Sequence, residues 1–293
     1  MTAIDERPTR PLTEIAAIVL VLLSTLLLAS CGTSTDTRGV SNASSVTVIA
    51  TAAPAPAPAS SSPSPSGTPT LPGYHSVFDD EFEGTKLDRR WMSALPWGNT
   101  NPGESQFYTP NNLAVGGGVL TLTARRQNMN GLPYTSGAIN SSKSFAFTYG
   151  YVEARVQVPA GQGLWPAFWL ATTVPTLNDE IDIMEILGSD PTTEYAVVHY
   201  GTRADRHKSA VPYVGPDSSA GFHTFAIDWE PNALVWYIDG VERRRVTTNI
   251  PSHPMCIVTS LTVGGRTSWS GAPDRYTVFP ASLQVDYIRV FQH

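Results

Sequence analysis

The sequence predicts a single all-β domain over residues 71–293, and three observations support this prediction. Short apolar runs with strand character are separated by turn signals, and no long stretch shows helical periodicity. The 293-residue chain has 23 Gly and 24 Pro but only 15% charged residues, which favours strands and turns over long charged helices. The region is long enough for one β-sandwich or jelly roll.

Individual strands follow from the alternation of apolar and polar residues. Residues 119–124 (VLTLTA) and 151–158 (YVEARVQV) alternate in this way, so each is predicted as a strand. Residues 222–246 predict a meander with turns at residues 231–232 and at Asp239-Gly240, the latter a type I′ hairpin signal. The last predicted strand is 283–291 (LQVDYIRVF).

The first 70 residues are predicted to lie outside this domain. Residues 15–29 (IAAIVLVLLSTLLLA) are shorter than the roughly 20 residues of a membrane-spanning helix, which favours a signal peptide over residues 1–30. The run ends in LASC, which resembles the lipobox of bacterial lipoproteins, so Cys31 is the expected lipid-anchor residue. We therefore expect an exported lipoprotein on the outer face of the plasma membrane, partly released. Simple secretion is the alternative.

Residues 31–70 differ in composition from the rest of the chain. Their second half contains only Ala, Pro, Ser, Thr and one Gly, which cannot build a core. Frequent proline stiffens such a segment, so we expect a disordered spacer between the lipid anchor and the domain.

Net charge and cysteine content limit the partners. A formal net charge of −6 argues against nucleic acid, whose phosphates require clustered positive charge. The two cysteines, Cys31 and Cys256, cannot by themselves form a disulfide framework or a zinc site. Cys256 has no adjacent basic residue to activate it and is predicted to be buried. We expect a monomer.

The most informative segment is residues 178–188 (NDEIDIMEILG), which carries several acids. Glu180 and Asp182 share one face of a strand, whereas strict alternation sends Glu185 into the core, where an unpaired carboxylate is very costly. A β-bulge at residues 183–184 returns Glu185 to the face of the other two. Such crowded acids titrate together and keep one proton, as a nucleophile and acid pair requires. A calcium-binding cluster and a solvated acidic strand remain alternatives at this point.

Two tryptophans precede the acidic strand. Trp165 and Trp169 are four residues apart and share a face if the segment is extended. Aromatic rings line binding clefts and stack on sugar rings, so both are candidates for substrate contact. Trp is also highly buried on average, so a core position is the alternative for each.

These motifs together resemble glycoside hydrolase family 16, specifically its bacterial laminarinase-type endo-β-1,3-glucanases. The most specific element is EIDIME (180–185), and the resemblance extends over nearly all of residues 71–293. The other matching segments are FDDEF (78–82), YTSG (134–137), YGYVEAR (149–155), GLWPAFW (163–169), HY (199–200), VGG (263–265) and VDYIRV (285–290). The resemblance implies a concanavalin A-like β-jelly-roll sandwich of two antiparallel sheets with a concave cleft for a β-glucan.

The resemblance also implies the chemistry. Glu180 would be the nucleophile, Glu185 the general acid/base and Asp182 the residue that tunes them, without a cofactor for catalysis. The reaction would be retaining, endo-acting hydrolysis of β-1,3-glucosidic bonds. A non-catalytic β-glucan-binding protein on the same fold is one alternative, which the presence of all three acids disfavours. An envelope transglycosylase with the same carboxylates is the other.

Further positions match residues that contact substrate in this family. The substrate-binding residues implied are Trp165, Trp169, Glu153, Arg155, His199 and Trp269. A surface ion pair is an equally good interpretation of Glu153 and Arg155, and a core histidine is the alternative for His199.

Many members of the family also bind a structural calcium ion on the convex side. The matching positions here are Glu81, Gly118 and Asp286, and oxygen ligands suit calcium. Ordinary strand-end acids are the alternative interpretation of Glu81 and Asp286.

Overall fold

The computed structural model describes residues 71–293, and every structural statement below concerns this part of the chain. The signal peptide of residues 1–30, the anchor residue Cys31 and the spacer of residues 31–70 lie outside the described residues and stay predictions. Within residues 71–293, no helix is long and apolar enough to cross a membrane.

Sixteen β-strands and one short 3-10 helix, Pro110–Asn112, make up the regular structure of the described residues. The strands are β1 (His75–Asp80), β2 (Gln106–Tyr108), β3 (Leu113–Gly116), β4 (Val119–Ala124), β5 (Tyr134–Ser136), β6 (Ala138–Asn140), β7 (Gly150–Gln157), β8 (Leu164–Thr172), β9 (Glu180–Ile186), β10 (Thr193–Gly201), β11 (Arg206–Val214), β12 (His223–Glu230), β13 (Ala233–Ile238), β14 (Val241–Val246), β15 (Met255–Val263) and β16 (Ala281–Gln292). The predicted all-β fold is confirmed.

The strands form two large antiparallel sheets, as the predicted jelly-roll sandwich requires. The eight-stranded sheet has the order β14-β13-β12-β7-β16-β4-β3, and β1 pairs with the second half of β16. The six-stranded sheet has the order β11-β10-β9-β8-β15-β6. A separate two-stranded parallel sheet joins β2 and β5.

The strands predicted from alternation are present. Residues 119–124 form β4. The predicted strands 151–158 and 283–291 correspond to β7 and β16, with ends that differ by at most two residues. The meander is β12, β13 and β14, paired in sequence. Asp239 and Gly240 have φ angles of 49° and 73°, the left-handed values that a type I′ turn requires.

The main hydrophobic core lies between the two large sheets. Trp229 and Trp236 of the eight-stranded sheet and Phe168 of the six-stranded sheet are among its largest fully buried side chains. A smaller apolar cluster lies on the other face of the six-stranded sheet, where Leu95 and Tyr108 pack against side chains of β6, β8 and β15. The segment before β2 therefore covers one side of this face.

Candidate active site

A β-bulge in β9 positions the acids. The neighbouring residues Phe168 and Trp169 of β8 pair with Met184 and Asp182, which leaves Ile183 as the extra residue. The register of β9 against β10 shifts at the same place. The predicted bulge is confirmed, and it returns the second glutamate of the motif to the face of the first.

The three acids line one cleft of about 1140 Å³ on the outer face of the six-stranded sheet. The side chain of Glu180 is 33% exposed, whereas that of Asp182 is only 4% exposed. Glu185 is half-buried. A ligand in the cleft therefore reaches the two glutamates, while the aspartate lies beneath them.

His199 of β10 stands beside two of the acids. Its Nε2 lies 3.5 Å from Glu180 Oε1 and 3.3 Å from Asp182 Oδ2. Burial acts to lower the pKa of His199, but the hydrogen bond with Asp182 and the charges of both acids outweigh it, so its pKa is raised. The cleft position predicted for His199 is confirmed, and its imidazolium offsets the negative charge there.

Burial raises the pKa of all three acids. It raises the pKa of Glu180 to about 8 with help from the Asp182 charge, while His199 acts in the opposite direction. Burial, then the charges of Asp182 and Glu180, hold the pKa of Glu185 well above its usual range. Burial also raises the pKa of Asp182 against its hydrogen bond with His199. Because Glu185 faces two other acids and lacks a cationic neighbour as close as His199 is to Glu180, it retains a proton most firmly.

Three aromatic side chains form a cluster beside Glu185. Trp165 Nε1 donates a hydrogen bond of 3.1 Å to Glu185 Oε1. The Trp269 ring, 47% exposed, meets Trp165 edge-on at 5.4 Å between ring centroids and Tyr195 at 4.7 Å. Trp165 thus lies in the cleft rather than in the core, and Trp269 packs beside it. Tyr195 was not singled out from the sequence, although alternation along β10 places it on the same face as His199.

The β8–β15 side of the cleft is also aromatic. Trp169 lines the cleft but is 7% exposed, and its ring centroid lies 5.8 Å from that of Trp97, which is 52% exposed. Trp169 therefore mainly supports Trp97, the ring available to a ligand. The sequence carries no motif that marks Trp97; its one signal is a large apolar residue inside a Pro96-Trp97-Gly98 turn.

The predicted substrate contacts of Glu153 and Arg155 are wrong. Both belong to β7 in the eight-stranded sheet, and alternation directs Val152 and Ala154 into the core and these two side chains to the face opposite the cleft. Arg155 pairs there with Asp286 at 2.6 Å. The alternative interpretation, an ion pair outside the site, is the correct one for Arg155.

Two of the three predicted calcium ligands, Glu81 and Asp286, have arginine partners in this structure. Both carboxylate oxygens of Glu81 accept hydrogen bonds from Arg289, at 2.7 and 2.8 Å. Asp286 is neutralised by Arg155. Calcium binding stays a prediction, and no step of the chemistry depends on it.

Among residues 71–293, side chains spaced closely enough to hold one metal ion are found in the cleft instead. One ligand atom each of Glu180, Asp182 and His199 lie within 4.8 Å of one another. Glu180, one of the two carboxylates involved, is the group that a retaining glycosidase would need free as its nucleophile.

Two carboxyl groups with raised pKa values, facing one open cleft of a β-sandwich, match the nucleophile and acid pair of the glycoside hydrolases. Comparison of the sequence gives the same class. Residues 102–287 match the profile of glycosyl hydrolases family 16, and the chain belongs to this family.

Relatives and solved structures extend this result. The chain is 33% identical over 241 residues to endo-1,3-1,4-beta-glycanase ExsH of Rhizobium meliloti (strain 1021), covering 73% of this chain and 51% of ExsH. It is 32% identical to a beta-glucanase of Rhodothermus marinus, covering 75% and 86% of the two chains. The solved endo-beta-1,3-glucanase from Pyrococcus furiosus superposes with a TM-score of 0.66 at 34% identity, covering 75% and 94%. The chain thus spans about half the length of ExsH.

Proposed function

We propose that this protein is a retaining endo-glycoside hydrolase that cleaves internal β-1,3-glucosidic bonds of a laminarin-like β-glucan. The observation that carries the proposal is the bulge in β9, which brings Glu180 and Glu185 to one open cleft with Asp182 between them. A cleft open to solvent suits a polymer that is cut within the chain. The β-1,3 linkage is supported by the relatives, among them the endo-beta-1,3-glucanase from Pyrococcus furiosus.

In the first step, a Glu180 carboxylate oxygen attacks the anomeric carbon while Glu185 donates its proton to the glycosidic oxygen. The bond between that carbon and that oxygen breaks, and the sugar becomes an ester of Glu180. The raised pKa of Glu185 and the histidine beside Glu180 both support this division of roles. Ionised Glu180 is favoured by protonated His199.

In the second step, Glu185 is ionised and removes a proton from water. The water oxygen attacks the anomeric carbon, and the Glu180 carboxylate leaves. Trp165 Nε1, which donates to Glu185 Oε1, stabilises the ionised form that this step requires. Two inversions at the same carbon give a product with the configuration of the substrate.

The proposal includes the setting of the enzyme. The lipobox at Cys31 and the proline-rich segment up to residue 70 support an exported domain tethered to the outer face of the plasma membrane. Metabolic labelling with a radioactive fatty acid tests the anchor. Label in the parent chain and none in a Cys31→Ala variant is the expected result.

Cleavage is tested with purified protein on laminarin, mixed-linkage β-glucan and xyloglucan. We expect soluble oligosaccharides from laminarin, with the β-anomer seen first by proton NMR. Glu180→Gln is the inactive control, because its side chain cannot form the ester. An α-anomer seen first contradicts retention. Binding of laminarin without cleavage supports the glucan-binding alternative, and longer products at high substrate support the transglycosylase.

A further inference from the structure

The bulge in β9 interrupts the regular pairing of the catalytic strand with both neighbours. A bulge leaves one residue unpaired and disrupts the local ladder, so nearby backbone groups need other partners. The carbonyl of Asp182, at the start of the bulge, accepts a buried hydrogen bond of 2.8 Å from Trp236 Nε1. The carbonyl of Ala196, which lies opposite the bulge on β10, accepts one from Arg244 Nη1. Both donors come from the other sheet.

Trp236 and Arg244 form one unit. They are cross-strand partners on β13 and β14, and the guanidinium lies over the indole ring at 4.8 Å from its centroid. Arg244 also donates to the Ser209 carbonyl at 3.2 Å and to Ser209 Oγ at 2.6 Å, on β11. The exposed fractions of Trp236 and Arg244 are 1% and 9%. The unit therefore ties β9, β10 and β11 to the opposite sheet through the core.

We infer that Trp236 and Arg244 are positioning residues that fix the β9 bulge and so set the placement of Glu185 relative to Glu180. This inference rests on the proposed function, because the placement matters when the two glutamates act on one sugar. Asp182 is held by its main chain to Trp236 while its side chain faces His199. A displacement of about 1 Å at such a site costs up to about a hundredfold in rate.

Trp236→Phe tests the inference, because it keeps a ring in the core and removes the indole N–H. The matched control is Trp229→Phe. Trp229 is equally buried, belongs to the same sheet, and donates its Nε1 hydrogen bond of 2.9 Å to the Pro251 carbonyl, away from the bulge. Both variants lose one buried indole hydrogen bond, so thermal unfolding shows whether they are destabilised alike.

We expect Trp236→Phe to lower kcat on laminarin between about tenfold and a hundredfold, with KM changed by less than about twofold. The pH–rate profile shifts in the same variant, because the environment of Glu185 changes. Trp229→Phe retains the parental kcat and profile. Equal kinetic losses in the two variants overturn the inference.

A carboxyl-carbon NMR titration gives a readout that does not require turnover. The pKa of Glu185 changes in Trp236→Phe and stays at the parental value in Trp229→Phe if the bulge is held from the opposite sheet. An unchanged Glu185 pKa in both variants overturns the inference. Absence of laminarin cleavage by the parent chain overturns the proposed function instead, so the two failures are distinguishable.

The wall of the cleft on its β10–β11 side is cationic. Arg203, Arg206, His207 and Lys208 all line the cleft and are all exposed, in a chain whose net charge is −6. Asp205, in the same hairpin, pairs with His207 at 3.1 Å. Among the described residues, no carboxylate forms an ion pair with either arginine.

The opposite wall, on the β8–β15 side, has a different chemistry. Trp97, Trp169 and Leu95 present carbon atoms, and the acid among them, Glu104, is occupied by hydrogen bonds from neighbouring polar side chains. A neutral glucan needs aromatic stacking and hydrogen bonds but no concentration of positive charge. The cationic wall therefore calls for an anionic group on the ligand.

We propose that this wall selects β-glucans that carry anionic substituents, carboxylates or sulfate esters. The proposal rests on the proposed function and is carried by Arg203 and Arg206, the two exposed guanidinium groups at this wall. Lys208 is partly engaged already, because its charge acts on Asp182 and Glu185. Arg206 Nε donates to the Arg203 carbonyl at 3.1 Å, which holds the base of its guanidinium over the hairpin. Both arginines can offer paired N–H donors to an anion.

The test compares two substrates with the same backbone, laminarin and carboxymethylated curdlan. At about 20 mM salt we expect kcat/KM to be about tenfold higher on the carboxymethylated glucan, and about 0.5 M salt abolishes the difference. The Arg203→Gln/Arg206→Gln variant lowers this ratio toward about one. Arg245→Gln is the control, since Arg245 lies on the other sheet and pairs with exposed Glu242. It retains the parental ratio.

Laminarin cleavage without preference for the anionic glucan overturns this proposal and leaves the proposed function intact. A preference that survives in the double variant, or that falls equally in Arg245→Gln, also overturns it, because the charge would then act from elsewhere. Cleavage of neither glucan overturns both proposals. Carboxymethyl and sulfated curdlan compared in the same assay identify which anionic group is preferred.

Discussion

Glu153 and Glu185 are two carboxylates, the first buried and the second half-buried, on opposite faces of the same sandwich. Glu153, 8% exposed, accepts hydrogen bonds from the hydroxyls of Tyr151 at 3.0 Å and Tyr287 at 2.7 Å. Glu185 accepts one hydrogen bond, from Trp165, and faces two other acids. The first carboxylate is surrounded by donors, while the second is surrounded by like charges.

The difference decides which carboxylate is available for chemistry. The charge of Glu153, after burial, raises the pKa of both tyrosines and so keeps them as donors. In that network both tyrosine hydroxyls have an acceptor, and it lies away from the cleft that a ligand would occupy. At Glu185 the raised pKa keeps a proton in the open cleft, where a substrate oxygen can take it. Access to the cleft and the neighbouring groups together distinguish the two carboxylates.

The largest expected effect is on the rate of Glu185→Gln. The variant loses general acid and base catalysis, so we expect kcat on laminarin to fall by about 10²–10⁴-fold. A β-1,3-glucan oligosaccharide with a dinitrophenyl leaving group needs no proton in the first step. Release of that phenolate should therefore be much less impaired than laminarin cleavage, as measured by burst kinetics.

Glu153→Gln is the matched change on the opposite face and a control for that experiment. It should keep the parental kcat and KM on laminarin. A loss of rate as large as that of Glu185→Gln would mean that the outer network reaches the cleft and that the comparison fails.

The next effect concerns the stability of the same control variant. Glu153→Gln replaces a charged acceptor of two tyrosine hydroxyls by an amide in a buried position. We expect the free energy of unfolding to fall by about 1–3 kcal/mol. Urea unfolding followed by tryptophan fluorescence measures the change. An unchanged midpoint would show that the tyrosine hydroxyls find other acceptors at no cost.

The pH dependence of stability distinguishes the cleft acids in another way. The folded chain holds Glu180 with a pKa of about 8, above its usual value of 4.5. Between these pH values the folded state binds more protons than the unfolded state, so the Glu180 contribution to stability falls as pH rises. Glu180→Gln removes this loss. We expect its Tm to equal the parental Tm near pH 4 and to exceed it by several degrees near pH 8, with the difference growing as the pH rises between these values.

The sequence predicts β9, the strand that carries the three acids, in the most detail. The pattern of acids and apolar residues in EIDIMEI has one solution that keeps Glu185 out of the core, and the bulge at Ile183 is that solution. Alternation located β4, β7 and β16 for the same reason. The local sequence pattern is enough to predict the register of β9, because any other register would bury the charge of Glu185.

The wrong or missing site predictions concern residues whose location the local sequence pattern does not determine. Glu153 alternates like the cleft acids, and nothing local tells which sheet contains its strand. Trp97 and Lys208 join the cleft through a loop and a hairpin whose paths are set by tertiary packing. The predicted calcium ligands Glu81 and Asp286 meet arginines from other strands, a pairing that no spacing reveals.

Cys256 supplies the smallest expected effect and sharpens the comparison. Burial raises the pKa of its thiol to about 11, so it shares the raised pKa of Glu185. It is fully buried and belongs to the small apolar cluster with Leu95 and Trp169. It lacks both the access and the charged neighbours that a reactive group needs.

We therefore expect no iodoacetamide labelling of Cys256 in the folded protein near pH 8 and complete labelling in denaturant, measured by mass spectrometry. Cys256→Ala should cost less than about 1.5 kcal/mol of stability and leave laminarin cleavage at the parental rate. Rapid labelling of the folded chain would show that the cluster opens. If Cys256 is unreactive as expected, a raised pKa indicates a catalytic site only when the group is also exposed and has charged neighbours. Glu180 and Glu185 meet both conditions.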